Sequence, residues 1–117
     1  MRPRGSRLRL QDILQAIERI EEYTRGMGFD EFCEDTRTVD AVVRNLEIIG
    51  EASRHIAPSL LRRHPEVPWH RMWGLRNVLA HGYFGVDLSI VWHTVTLNLP
   101  PLVPLLQAVL EAEDLPK

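Results

Sequence analysis

Within the segment Arg76-Asn77-Val78-Leu79-Ala80-His81-Gly82-Tyr83 stand side chains whose chemistries complement one another. Arg76 carries a permanent charge and a fork of donors suited to phosphate oxygens, whereas His81 titrates near neutrality and can move a proton. Together they suit phosphodiester cleavage in RNA. A base takes the proton of the 2′-hydroxyl, the freed oxygen attacks phosphorus, and a guanidinium stabilises the charge growing on the phosphoryl oxygens. Such chemistry requires no metal. Ligand spacing argues against a metal as well: His81 has no carboxylate or second histidine at helical spacing, and the five histidines stand in unlike contexts. One histidine supplies a base or an acid, and the reaction calls for both. A two-fold dimer that brings two copies of the segment together is the arrangement expected to provide them.

A helix must position these groups. With Arg76 at zero and about 100° per residue, Asn77 falls near 100°, Ala80 near 40°, His81 near 140° and Tyr83 near −20°, while Leu75, Val78 and Leu79 cluster between about 200° and 300°. The expectation is a helix that packs through the second group and presents the first, with Ala80 and Gly82 leaving room for a ligand. Pro68 or Trp69 opens this helix, which runs through Ala80 until Gly82 and Gly85 stop it.

The rest of the chain reads as helices to hold that one. Leu10, Ile13, Leu14, Ile17 and Ile20 recur at three- and four-residue steps and mark a first helix ending near Gly26-Met27-Gly28. A short acidic element follows from Phe29 to Arg37, with Asp30 as a candidate cap. Thr36 or Thr38 then starts a central helix through Ile56, whose broad apolar stripe calls for neighbours on two sides. Asn45 lies on the stripe and is expected to be a core amide bonded to nearby backbone, while Arg44, Glu47 and Glu51 share a face as structural ion pairs. Pro58 ends this helix, one turn follows over Ser59 to His64, and Pro65-Glu66-Val67-Pro68 is a rigid connector. Asp87 caps a helix from Leu88 to Asn98, and Pro100-Pro101 breaks the chain before a last helix from Leu102 to about Glu113. No stretch alternates with period two. The fold class expected is all-α, an antiparallel bundle of about five helices forming a homodimer.

With 117 residues there is material for a single domain, read as 1–117 with residues 1–8 as a flexible basic arm carrying Arg2, Arg4 and Arg7. No apolar run approaches the roughly 18 residues of a membrane span. The start, MRPRGSRLRL, lacks the continuous apolar region of a secretion signal, and the lone Cys33 suits a reducing cytoplasm. Net charge is −2, too negative for a general nucleic-acid coat, but its distribution is uneven. Residues 10–53 carry eleven acids against four arginines, whereas residues 54–81 carry Arg54, Arg62, Arg63, Arg71 and Arg76 against Glu66 alone. The basic stretch ends on the motif. Trp69, Trp73 and Trp92 fall inside helical patterns and are taken as core or interface residues rather than base-stacking platforms.

Arg76, four residues, His81, one residue and Tyr83 match the Arg-x4-His-x-Tyr signature of the HEPN superfamily. The flanking text resembles its HepT-like toxin branch: Val42 through Ala52 (VVRNLEIIGEA), His64 through Trp69 (HPEVPW), Gly82 through Asp87 (GYFGVD) and Val91-Trp92. The resemblance covers roughly residues 8–106. It implies a dimerising helical bundle with the motifs at a shared cleft, and a metal-independent endoribonuclease that uses no cofactor. Carried over by position, Arg76 and His81 are the catalytic pair and Asn77 helps to orient or bind. The family further implies a partner, a nucleotidyltransferase antitoxin of the MNT type that adenylylates the motif tyrosine, here Tyr83. An attached AMP would place a bulky anion where the RNA phosphate must sit and compete for Arg76. The alternative, from another class, is a non-catalytic HEPN interaction module that binds a nucleotidyltransferase or a nucleotide. A DNA-binding regulator is disfavoured, since no helix-turn-helix pairing is evident and the net charge gives little affinity for duplex DNA.

Overall fold

A computed structural model of the chain describes residues 5–80 and 87–113, and at positions 76, 77, 78 and 80 the backbone alone. The first helix, α1 (Ser6–Thr24), buries Leu10, Ile13, Ala16, Ile17 and Ile20 along one stripe. It stops where Gly26 takes φ 78°, a left-handed conformation that L side chains resist and glycine adopts freely. Helix α1 begins earlier than the apolar periodicity marks, so residues 6–8 of the expected arm are helical. Ser6 has a reason to be ordered: its hydroxyl accepts the Ala57 amide at 3.0 Å, tying the start of α1 to the residue that precedes the helix beginning at Pro58.

Helix α2 (Phe29–Glu34) is capped from within, Glu31 accepting the Gly28 amide at 3.2 Å, rather than by Asp30. Its anchor is Phe32, wholly buried, whose ring meets that of Trp92 at a centroid distance of 5.0 Å. The central helix α3 (Thr36–Arg54) is capped by Asp35, which accepts the Thr38 amide at 3.1 Å. The helix thus starts at Thr36, one of the two threonines that the sequence suggested, with Asp35 as its cap. Val42, Asn45, Leu46, Ile49, Gly50, Ala52 and Ser53 are buried along α3. That is an arc of roughly 160° at helical spacing, covered by α1 on one flank and by α5 (Trp69–Ala80) on the other. On the exposed side, Arg44 pairs with Glu47 at 3.5 Å and Glu51 with His55 at 3.0 Å, as the spacing predicts.

The single turn expected after Pro58 is a helix of its own, α4 (Pro58–Arg63), with proline at its first position and Leu60 as its buried anchor. Helix α6 (Leu88–His93), capped by Asp87 through the Ser89 amide at 3.0 Å, passes directly into a π-helical segment, Thr94–Asn98. The extent Leu88 to Asn98 is the one predicted, but its second half is wound differently. Thr94 and Thr96 turn their hydroxyls back onto the carbonyls of Ile90 and Trp92 at 2.9 and 2.8 Å, loosening the α-helical ladder just before two prolines that cannot join it. After a 52° bend, α7 (Leu102–Ala112) buries Leu102, Leu106 and Val109 and lies against α1. The described chain is therefore all-α, with seven α-helices where about five were expected, because the short links α2 and α4 close into helical turns. No single described helix is long and apolar enough to cross a membrane.

A polar clamp fixes the far end of α7. Glu113 accepts from Arg63 through both of its carboxylate oxygens, and from His64 Nε2 at 2.8 Å. His64 Nδ1 faces Glu66 at 3.1 Å, and its backbone carbonyl accepts the Trp69 indole at 2.9 Å, so the same residue also seats the start of α5. Arg63 first, and His64 after it, hold the Glu113 carboxyl down at about 2, while Glu113 raises the His64 imidazole above its ordinary value. The signs set a window. Glu113 contributes stability above its ordinary value of 4.5, lost as pH falls toward 2, and His64 contributes below its ordinary 6.5, lost as pH rises through its raised value. Glu113→Gln is expected to lower the melting temperature most between the ordinary values of 4.5 and 6.5, with the gap narrowing on either side. Thermal melts of both proteins followed by circular dichroism across that range would measure it, and a pH-independent gap would show that the clamp is not ionic.

Candidate active site

Helix α5 runs alongside α3, and one bond sets its register: the Trp73 indole donates to the Ser53 carbonyl at 3.1 Å. Since α3 ends at Arg54, α5 can keep that contact along its length only by running antiparallel. At 1.5 Å per residue, the end of α5 lies roughly 10 Å beyond Trp73, level with Leu46 and Asn45. Gly50 is buried on α3 one turn before Ser53, the stretch alongside positions 76 and 77.

The buried face of α5 is not centred where the wheel placed it. Trp69 (6% exposed), Met72 (1%) and Leu79 (7%) are its buried members, whereas Leu75 is half-buried and Arg71 exposed. On the wheel these three lie near 20°, 320° and 300°, so the packed arc is turned toward the position of Arg76 and away from that of Val78. On the wheel position 76, at 0°, therefore falls within this arc, and position 77, at about 100°, well clear of it. The side chains of Arg76 and Asn77 fall outside what the structure describes, though both residues are helical members of α5. His81 and Tyr83 lie outside the described residues altogether.

Two of the hollows among the described residues, one on α1 and α3 and one on α3 and α5, hold polar side chains that bear on the site. Where α1 meets α3, Asp12, Gln15, Ala16, Arg19, Asn45 and Ile48 enclose about 180 Å³. Asn45 is 5% exposed and donates to the Ala41 carbonyl at 2.9 Å, which is the core role expected of it. Its Oδ1, however, is buried with no hydrogen-bond partner among the described residues. An unsatisfied buried acceptor is uncommon and marks a place where the fold is not optimised for stability alone. Farther along α5, Arg54, His70, Trp73 and Gly74 border an open hollow of about 480 Å³. Of the three tryptophans, Trp69 is core and Trp92 packs on Phe29 and Phe32, as core or interface residues should, but Trp73 is 38% exposed. The wheel held the signal: Trp73, near 60°, shares the side of Asn77, Ala80 and His81. Among the described residues no three of His, Cys, Asp and Glu are grouped to hold a metal ion.

The model of the ribonuclease HepT-like family matches residues 13–109, from α1 to α7 and across the whole motif. The chain belongs to that family. A protein of Thermococcus cleftensis named "Probable ribonuclease HepT" is 50% identical over 93 residues, 80% of this chain and 84% of its own. A "Putative RNase" of Methanocaldococcus jannaschii is 38% identical over 108 residues, covering 90% of this chain and 89% of its own. Another from Caldanaerobacter subterraneus is 38% identical over 104 residues, 89% and 93% respectively. No solved structure matches the chain. The HepT-like match accounts for the all-α HEPN architecture.

Asn45→Leu separates packing from function in this HepT-like chain. It removes one hydrogen bond and one unsatisfied acceptor while keeping the volume, so stability is expected to change by no more than about 1 kcal/mol. Urea unfolding measures that change. A loss of several kcal/mol would mean that the amide is structural and that its free oxygen is satisfied in solution.

Proposed function

We propose that the chain is a metal-independent endoribonuclease whose site is assembled from Arg76, Asn77 and His81 of two copies of the motif across a dimer cleft. The observation that carries this reading is the family match over residues 13–109, which spans an intact Arg-x4-His-x-Tyr signature, with Arg76 and Asn77 on the last turns of α5. The relatives' names as ribonucleases support RNA as substrate. One His81 takes the proton from a ribose 2′-hydroxyl, and the 2′-oxygen bonds to phosphorus. The bond from phosphorus to the 5′-oxygen then breaks, and that oxygen receives a proton from the second His81. The products are a 2′,3′-cyclic phosphate and a 5′-hydroxyl, and no water or metal enters this step. Arg76 binds the phosphoryl oxygens and stabilises their added charge in the transition state, while Asn77 orients the phosphate.

Control follows from the same geometry. Tyr83 is the acceptor for AMP transferred by a nucleotidyltransferase antitoxin, which makes the pair a toxin and its neutraliser acting in the cytoplasm. The tyrosyl oxygen attacks the α-phosphate of ATP and pyrophosphate leaves. The new phosphodiester then occupies the anion site beside Arg76.

Purified protein is expected to cleave single-stranded RNA in EDTA, and His81→Ala to slow cleavage by about 10²–10⁴-fold with the helical spectrum unchanged. Gel analysis of end-labelled RNA reads both the rate and the cyclic-phosphate terminus. Cleavage that needs a divalent ion, or that survives the loss of His81, would refute the mechanism. Protein inert toward RNA that co-purifies with a nucleotidyltransferase would make the chain an interaction module instead. Co-expression with such an enzyme is expected to add the mass of one AMP to the wild type and none to Tyr83→Phe.

A further inference from the structure

The hollow bordered by Arg54, His70, Trp73 and Gly74 lies one to two turns before the motif on the same side of α5. Its composition is not explained by the fold. Gly74 sits inside a helix, where glycine costs stability, yet its φ is not positive and an added Cβ would meet nothing within 4 Å. Neither backbone strain nor close packing among the described residues requires glycine there. Trp73 is held by its indole hydrogen bond to Ser53 yet remains 38% exposed, so the ring is oriented rather than loosely lying on the surface. Among the described residues, neither Arg54 nor the nearby Arg71 forms an ion pair, although exposed arginines on α3 and α4 do. A fixed, half-open indole beside an unpaired guanidinium, over a helix surface with no side chain at residue 74, suits a flat aromatic group carrying an anion.

We propose that this hollow is a base-binding subsite for single-stranded RNA. A nucleotide flanking the scissile phosphate stacks on Trp73, lies over Gly74, and sets its phosphate against Arg54. An unpaired base is required, because a base within a duplex cannot offer its face to a side chain on a helix surface. Positions 70, 74 and 77 repeat at helical spacing along one stripe of α5, so a strand laid along it runs from this subsite toward Asn77 of the motif. The inference rests on the ribonuclease reading of the preceding section and adds where the strand lies and what holds it.

The test is binding of a fluorescently labelled 2′-O-methyl oligonucleotide, which lacks the attacking hydroxyl and so reports affinity without cleavage. Trp73→Leu is expected to weaken binding about 10-fold, whereas Trp73→Phe, which keeps a ring to stack on, stays within about 3-fold of wild type. Gly74→Glu is the independent variant: the space above residue 74 is open, so the helix tolerates it, and its bulk and negative charge are expected to weaken binding at least about 10-fold. Binding of all three variants equal to wild type, with wild type still cleaving RNA, would overturn the subsite and leave the ribonuclease reading standing. Wild-type protein that neither binds nor cleaves RNA would overturn both. Loss of a dimer in sedimentation by Trp73→Leu, with Gly74→Glu binding normally, would assign the indole to a protein interface and overturn the proposal as well.

Discussion

The bundle is organised by the width of the buried arc on α3. A helix buried over roughly 160° cannot be covered by one neighbour. With α1 on one flank and α5 on the other, α3 becomes the central strut against which both are measured. Burial by itself leaves α5 free to slide and rotate. The indole bond from Trp73 to Ser53 and the seating of Trp69 on the His64 carbonyl remove those freedoms. The end of α5, which carries Arg76 and Asn77, is thereby placed beside the middle of α3 rather than at a loose end of the bundle.

Local chemistry then decides where each helix begins and ends. Asp35 and Asp87 satisfy the first amides of α3 and α6, Gly26 turns the chain after α1, and Pro58 preorganises the first turn of α4. The clamp of Arg63, His64 and Glu113 does for the end of α7 what these caps do elsewhere, but across about fifty positions of sequence. It unites the α4–α5 connector with the C-terminal helix, so the segment leading into the motif helix is braced by polar contacts as well as by packing.

Much of this was legible in the sequence, and the parts that were not share a cause. The spans of α3, α5 and α7 follow from apolar spacing and from Pro and Gly breaks, which act within a few residues. The rotation of α5 does not, because Trp69, Met72 and Leu79 are selected for burial by the surface of α3 and not by their own helix. The early start of α1 depends on the contact of Ser6 with Ala57, fifty-one residues away, and the π-helical winding of Thr94–Asn98 on threonine back-bonding that spacing does not report. For Asn45 the sequence indicated a core amide bonded to backbone, and half of the group conforms. Its unpaired Oδ1 is a property of the cavity around it. The residue types of the motif were readable and their alignment along α5 could be computed, yet what faces them is a matter of tertiary and quaternary placement.

Helix α5 is the least regular amphipathic element of the fold, and that irregularity is informative. A helix selected only to pack would place its apolar residues on the buried arc and fill Gly74 with a helix-favouring side chain. Here a tryptophan is turned partly to solvent, a glycine stands mid-helix with open space above it, and arginines lie nearby without partners. Trp73 is held by its indole bond to Ser53, but among the described residues nothing covers the exposed part of its ring or fills the space over Gly74. Sequences that break local rules in several neighbouring positions do so where another constraint acts. The departures lie on the side of α5 that also carries position 77, while the opposite arc keeps its apolar anchors. On the ribonuclease reading proposed above that constraint is an RNA strand, and the charge of the surrounding segment, five arginines against one glutamate over residues 54–81, has the sign a polyanion requires.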